Sequence, residues 1–154
     1  MERHEDSIFE ALKKNDPTNM RDRYPTSKLL EVFMVRALSE RMASGSHAKE
    51  PVILNCLNPG LCHSSLSRAA TGIVRVVFFI IKSLLARSTE AGSRTLMAAA
   101  AAGEESKGQY MSDCKVAAPS EFVMSGEGKE TQEKVYTELI AILEKIQPGI
   151  SKNI

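Results

Sequence analysis

Val52-Ile53-Leu54-Asn55-Cys56-Leu57-Asn58-Pro59-Gly60 is the stretch on which the fold turns. Its apolar run, Val52 to Leu57, is too short for a good helix and is halted by the loop-forming Asn58-Pro59-Gly60. A continuous run without alternation predicts a strand buried on both faces, the habit of parallel sheets. Upstream, Leu29, Leu30, Val32, Phe33, Val35, Leu38 and Met42 recur with a helical period. Pro25 suits the first turn of that helix, where a missing N–H costs nothing, and Gly45 with its polar neighbours ends it. Helix, loop and buried strand in that order predict an α/β unit with a parallel sheet. Ligands of such sheets bind beyond the carboxyl ends of the strands, where Asn58-Pro59-Gly60 would lie.

Further out, residues 1 to 23 are polar, with a short helix around Ile8, Phe9, Ala11 and Leu12 and a turn at Asn15-Asp16-Pro17. Between Glu50 and Glu90 there is no acidic residue, whereas Arg68, Arg75 and Lys82 recur every seven residues and Arg87 follows. On a helix those three cations share one face and Ile73, Val76, Val77, Phe78, Phe79, Ile80 and Ile81 occupy the remainder. Two readings follow: a helix over an apolar pocket with its cations snorkelling to water, or a helix lying on a membrane surface. Ser88-Thr89-Glu90 opens the next helix, which runs through Ala98 to Ala102 and stops at Gly103. Gly108 to Ser112 reads as a last short strand, Cys114 to Gly128 as a loop, and Thr131 to Ile146 as a final amphipathic helix closed by Pro148-Gly149.

The chain has 154 residues, enough for one domain or part of one. An apolar fraction of 43% can fill a core, and 25% charged residues argue against disorder. A net charge of +1 gives no pull toward nucleic acid. Cys56, Cys62 and Cys114 show neither paired nor zinc-like spacing, so no metal site is expected and a reducing, cytoplasmic setting is. The polar start, Met-Glu-Arg-His-Glu-Asp, does not read as a signal peptide, and Val76 to Ile81 is too short to span a bilayer.

Chemistry enters with Tyr24-Pro25-Thr26-Ser27-Lys28. A Tyr and a Lys four positions apart share a helix face, so both can reach one substrate. A phenol that exchanges protons near neutrality needs a cation beside it, and Lys28 could supply one. With three tyrosines and 11 lysines in 154 residues, such a pair arises by chance roughly one time in five, so the surrounding segments have to decide.

Tyr24-x-x-Ser27-Lys28 opening a helix, a buried strand ending in Asn58-Pro59-Gly60, and Ser64 four residues after Gly60 together resemble the C-terminal half of a short-chain dehydrogenase/reductase. Thr89-Glu90-Ala91-Gly92-Ser93-Arg94 and Gly108-Gln109-Tyr110 are similar to its retinol-dehydrogenase-like fungal branch. The resemblance implies the C-terminal portion of a doubly wound, Rossmann-like α/β domain. Its segments are the Tyr/Lys helix (24–44), the strand and Pro-Gly loop (52–64), a substrate lid (65–88) and the closing helices and strand (89–150). It implies an NAD(P)H-dependent oxidoreductase acting on a carbonyl or alcohol of a small hydrophobic metabolite, in keeping with secondary metabolism, with NADP as cofactor and NAD as the alternative. Tyr24 would pass the proton, and Lys28 would hold the nicotinamide ribose and favour the phenolate. Pro59 and Gly60 would let backbone approach the nicotinamide, and the Cys62 backbone and Ser64 hydroxyl would hold its carboxamide.

Against the family pattern, no Gly-rich turn for the pyrophosphate precedes Tyr24, nor does the Asn-Ala-Gly motif or the catalytic Ser. Ser7 is the only serine there, and it does not take that role. The expectation is a truncated product lacking the dinucleotide half, with one strand edge open to self-association. A catalytically inactive remnant and a membrane-surface protein are the alternatives.

Overall fold

A computed structural model of the protein describes residues 7–14, 20–45, 48–49, 52–65 and 71–153. The turn expected at Asn15-Asp16-Pro17 and residues 66–70 of the expected lid, Arg68 among them, lie outside the described residues. The chain divides into two compact units, one comprising the segments up to Leu54 and from Pro119 onward, the other Asn55–Ala118.

In the first unit, α1 (Ile8–Lys13) is followed by a 3-10 turn at Met20–Asp22 and by α2 (Arg23–Ser44). The short α5 (Glu121–Met124) and the long α6 (Gly126–Ile146) complete it, with a terminal 3-10 turn at Ile150–Asn153. The apolar stripe of α2 does what its period predicts. Phe33 is wholly buried with Val123 of α5 and Val135 of α6, and Leu29, Leu30 and Val32 pack around them. Polar ties run beside this core. The Arg36 guanidinium donates to the buried Gln132 amide at 3.1 Å, and Arg41 pairs with Glu133 and lies 3.7 Å over the Tyr136 ring. The first turn of α1 is held by Glu138 of α6, whose carboxylate accepts from the Ser7 hydroxyl at 2.7 Å and the Ile8 and Phe9 amides. Burial pushes Glu138 up, but these three donors outweigh it and hold the carboxyl below the usual range.

Two expectations fail in this unit. The final helix begins at Gly126, five residues before Thr131, because Ser125 caps it by accepting from the Gly128 amide at 3.0 Å. The segment read as a loop from Cys114 to Gly128 contains α5 and, in the second unit, a strand.

Glu144 fastens the C-terminal turn. Its carboxylate accepts from the Ser151 hydroxyl at 2.5 Å, the Ser151 amide at 2.8 Å and the Gly149 amide at 2.6 Å. The Ser151 hydroxyl and amide, with the Gly149 amide, lower its pKa from 4.5 to about 2. A carboxyl depressed on folding contributes stability that is complete above its unfolded pKa and fades as pH falls through the folded one. The Ser151 amide resonance is therefore expected to report release of the turn toward pH 2, well below the range of a free carboxyl. Release centred on the ordinary carboxylate range would refute the clasp.

The second unit is built on β1 (Cys56–Asn58), α3 (Gly72–Leu85), α4 (Thr89–Ala101), a 3-10 turn at Glu104–Ser106, β2 (Tyr110–Ser112) and β3 (Lys115–Ala117). The sheet order is β1-β2-β3. β1 pairs with β2 in parallel, Leu57 opposite Met111, and α3 and α4 supply the crossover that parallel strands require. β2 and β3 form an antiparallel hairpin. Its two-residue turn, Asp113-Cys114, has both φ angles positive (51° and 63°), the twist that matches paired strands. Asp tolerates that region, but Asp-Cys lacks the glycine that signals such a turn, so the sequence does not reveal β3. Ser88 caps α4 by accepting from the Ala91 amide at 3.0 Å. The Asn55 amide ties α4 to the following turn by donating to Ala99 O and Ser106 Oγ, both at 3.0 Å.

The strand predicted over Val52 to Leu57 is a correction. Only Cys56–Asn58 pairs, its residues run from half-buried to exposed, and Val52–Leu54 belong to no strand. β2 is three residues long and is the one neighbour of β1 among the described residues, so it can pair no longer stretch. The parallel pairing itself and the α/β class stand: the molecule is a helix-rich, partial α/β domain with a small mixed sheet.

Candidate functional site

Tyr24 and Lys28 stand on the first turns of α2, where Pro25 is tolerated because the first N–H groups have no carbonyl to meet. One turn apart, they project from the same face, with the Lys28 ammonium 5.9 Å from the centre of the Tyr24 ring. Tyr24 is 54% exposed. Ser27 donates its hydroxyl to the Tyr24 carbonyl at 2.7 Å, which turns it back onto the helix. Lys28 is engaged by Glu31 at 2.7 Å. That hydrogen-bonded carboxylate, with a smaller contribution from Tyr24, holds Lys28 above the usual lysine range, so the ammonium is fully charged.

The loop after β1 is ordered by its own side chains. Asn58 Oδ1 accepts from the Gly60 amide at 2.9 Å, and Gly60 takes the left-handed conformation (φ +74°) that this tight turn requires. The Cys62 thiol lies 3.4 Å from the Pro59 carbonyl and fills the space a Cβ on Gly92 would need. Arg87 braces the loop twice. Its amide donates to Leu61 O at 2.9 Å and its carbonyl accepts from the His63 amide at 3.0 Å. Its guanidinium lies against Gly60 and pairs with Asp113 at 2.8 Å. The Asp113 carboxylate raises Arg87, and Arg87 in turn lowers Asp113, so the pair stays charged. The strand-like bridge between Cys62 and Arg87 uses the groups of Leu61 and His63, which leaves the Cys62 N–H and C=O outside it. Ser64 is exposed, and its carbonyl accepts from the Lys82 ammonium at 2.7 Å.

Of the residues singled out in the sequence, Tyr24 and Lys28 meet in the first unit, and Pro59, Gly60, Cys62 and Ser64 form one loop in the second. The sequence reading missed Asn58, Arg87 and Asp113 as the groups that hold that loop. Asn two residues before Gly was a usable signal for the first. Nothing local pointed to the Arg87–Asp113 pair, whose members are 26 residues apart. By residue type, an exposed phenol and an ammonium stand in the first unit, and a loop with a glycine and a hydroxyl in the second. The chain carries no Gly-rich turn for the pyrophosphate. Among the described residues there is no cluster able to hold a metal ion and no helix long and apolar enough to cross a membrane.

The chain is 52% identical over 132 residues to the short chain dehydrogenase/reductase dmxR8 of Cryptosporiopsis sp., a match covering 86% of this chain and 39% of the relative. It is 39% identical to the short-chain dehydrogenase anuD of Penicillium roqueforti, over 94% of this chain and 39% of that protein. It is 36% identical to the short chain dehydrogenase FGM9 of Gibberella zeae, over 97% and 43%. No family model matches, and no solved structure does. The chain thus spans about two-fifths of the length of these curated fungal relatives. On this likeness and the parallel α/β unit, the chain belongs to the short-chain dehydrogenase/reductase family, whose C-terminal part it matches.

Proposed function

We propose that these residues form the proton-transferring and nicotinamide-holding part of an NAD(P)H-dependent oxidoreductase that interconverts a carbonyl and an alcohol on a small hydrophobic metabolite. The observation that carries the reading is the exposed Tyr24 phenol with the charged Lys28 ammonium one helical turn away. Bound nicotinamide supplies or accepts the hydride at the substrate carbon. Tyr24 donates its phenolic proton to the carbonyl oxygen in reduction and recovers it from the alcohol in oxidation. Lys28 stabilises the phenolate left behind and offers its N–H groups to the ribose, exchanging Glu31 for them. Gly60 and Pro59 would let backbone approach a bound nicotinamide, and the Cys62 backbone and the Ser64 hydroxyl would hold its carboxamide. The apolar α3 suits a hydrophobic substrate, and secondary-metabolite biosynthesis in a cytoplasmic setting belongs to the same reading. NADP is the preferred cofactor, with NAD the alternative.

A second reading is a non-catalytic family member, favoured by the engagement of Lys28 with Glu31. Self-association through the free edge of β1, which has β2 as its one neighbour among the described residues, would accompany either. Thermal unfolding with and without saturating NADPH and NADH separates the two, because only a ligand of the native state raises the midpoint. The expected result is a rise with NADPH that Lys28→Ala reduces and Tyr24→Phe largely retains, with turnover lost in both. A midpoint unmoved by either cofactor refutes the oxidoreductase reading for this chain.

A further inference from the structure

We propose that Arg87 and Asp113 are positioning residues for the loop 59–64: the guanidinium holds that loop in the shape that receives a nicotinamide, and the carboxylate holds the guanidinium. What the loop binds rests on the oxidoreductase reading above. The loop leaves the carboxyl end of β1, where parallel sheets take their ligands. Three segments distant in sequence meet on it. Arg87 stands between α3 and Ser88, the cap of α4, and its backbone is fixed to the loop by the bonds to Leu61 and His63. From that base its side chain passes Gly60 and reaches the β2–β3 turn, where Nη2 donates to Asp113 Oδ1 at 2.8 Å. The three atoms nearest to a Cβ placed on Gly60 are Cζ, Nε and Nη2 of Arg87, at 3.0, 3.2 and 3.2 Å. The guanidinium, not backbone, therefore closes this side of the glycine.

An arginine beside a cofactor loop can serve in two ways, by touching the cofactor's phosphates or by holding the loop. The geometry favours the second. Nη2 is committed to Asp113, Nε lies against Gly60, and the carboxylate offsets the charge that a phosphate would seek. Magnitude matters too. The Arg87 and Asp113 side chains are 39% and 68% exposed, and ion pairs in such settings add little to global stability. The consequence of breaking this one is local, and the variants should fold. Asp113 has a positive φ of 51°, a region that Asn tolerates equally. Asp113→Asn thus keeps the turn and an acceptor oxygen while removing the charge. The backbone bonds of Arg87 survive any change of its side chain.

The test uses the 154-residue chain, NADPH affinity from titration calorimetry, and amide hydrogen exchange without cofactor. Asp113→Asn is expected to weaken NADPH binding about two- to fivefold. That sign is diagnostic, because removing a negative charge would by simple electrostatics tighten the binding of an anionic cofactor. Arg87→Met should weaken it about tenfold, as for a loop correctly shaped a tenth of the time. Arg87→Lys keeps a cation for Asp113 but lacks the planar fork over Gly60, and should fall between parent and Arg87→Met. Arg87→Met combined with Asp113→Asn should be no weaker than Arg87→Met alone, since the carboxylate acts through the guanidinium. Without cofactor, the Gly60 amide, which donates to Asn58 Oδ1, should exchange faster in the same order of variants, at an unchanged melting temperature. Tighter NADPH binding by Asp113→Asn would overturn the proposal and make Arg87 a direct cofactor contact. Additive losses in the combined variant would overturn it as well, and so would Gly60 exchange that matches the parent throughout. A parent that binds no NADPH would sink the oxidoreductase reading, and the loop's role with it, while the exchange series still decides whether the pair holds the loop.

Discussion

Replacing Phe33 by alanine is expected to destabilise the first unit by about 3–5 kcal/mol, the range found when a large aromatic is removed from a core that cannot collapse onto the space. Phe33 is wholly buried in a small core, with Val123 and Val135 as its buried apolar companions and a ring of half-buried aliphatics outside them. Its ring meets that of Phe122 edge-on, with centroids 6.1 Å apart and planes inclined at 65°, an arrangement worth about 0.5–1.5 kcal/mol beyond area burial. A domain of ordinary stability, about 5–15 kcal/mol, has little margin after such a loss. Urea unfolding followed by helical circular dichroism measures it. Phe33→Leu should retain most of the stability because it refills most of the volume. A Phe33→Ala loss below about 1 kcal/mol, typical of an exposed side chain, would mean that α2, α5 and α6 do not share this core.

Gly126 and Gly128 are expected to respond to alanine with opposite signs. A Cβ on Gly128 would stand 1.9 Å from the Phe122 carbonyl oxygen and 3.1 Å from the Val123 Cα. Both are backbone atoms, so neither can swing aside. Gly128→Ala gains about 1 kcal/mol of helix propensity but must drive α5 off α6, and a net loss of about 1–3 kcal/mol follows from overpacking of this kind. Gly126 has nothing within 4 Å of the corresponding position. There the propensity gain is unopposed, and alanine should stabilise by up to about 1 kcal/mol. Two variants two residues apart, compared in one denaturant series, cancel most errors of reference state. The same sign at both positions would show that α5 is not seated where the first turn of α6 needs a glycine.

These glycines also show where sequence reasoning reaches its limit. In a one-dimensional pattern Gly126 and Gly128 look alike, both as breakers, and they delay the apparent start of α6 to Thr131. Only the position of Phe122 in space distinguishes a required glycine from an incidental one. The same holds for β3. Its turn, Asp113-Cys114, carries a backbone conformation that the residue types do not announce. The loop after β1 is a mixed case: Asn58, Pro59 and Gly60 are recognisable as a turn. The guanidinium that braces it arrives from Arg87, after a crossover.

What the sequence by itself determined is whatever depends on local periodicity and local chemistry. The stripe of α2, the Ser88 cap of α4, the parallel pairing of the Leu57 and Met111 segments, and Tyr24 and Lys28 on one helix face were all legible, because each follows from residues within a few turns or from a short apolar run. The tertiary structure decided the extent of β1, the existence of β3 and the anchoring of α1 by Glu138. Each of these depends on which partner is present at long range. A three-residue neighbour limits β1 to three residues, whatever the β propensity of Val52 and Ile53. Glu138, likewise, fixes α1 by accepting from Ser7, Ile8 and Phe9, about 130 positions away in the chain.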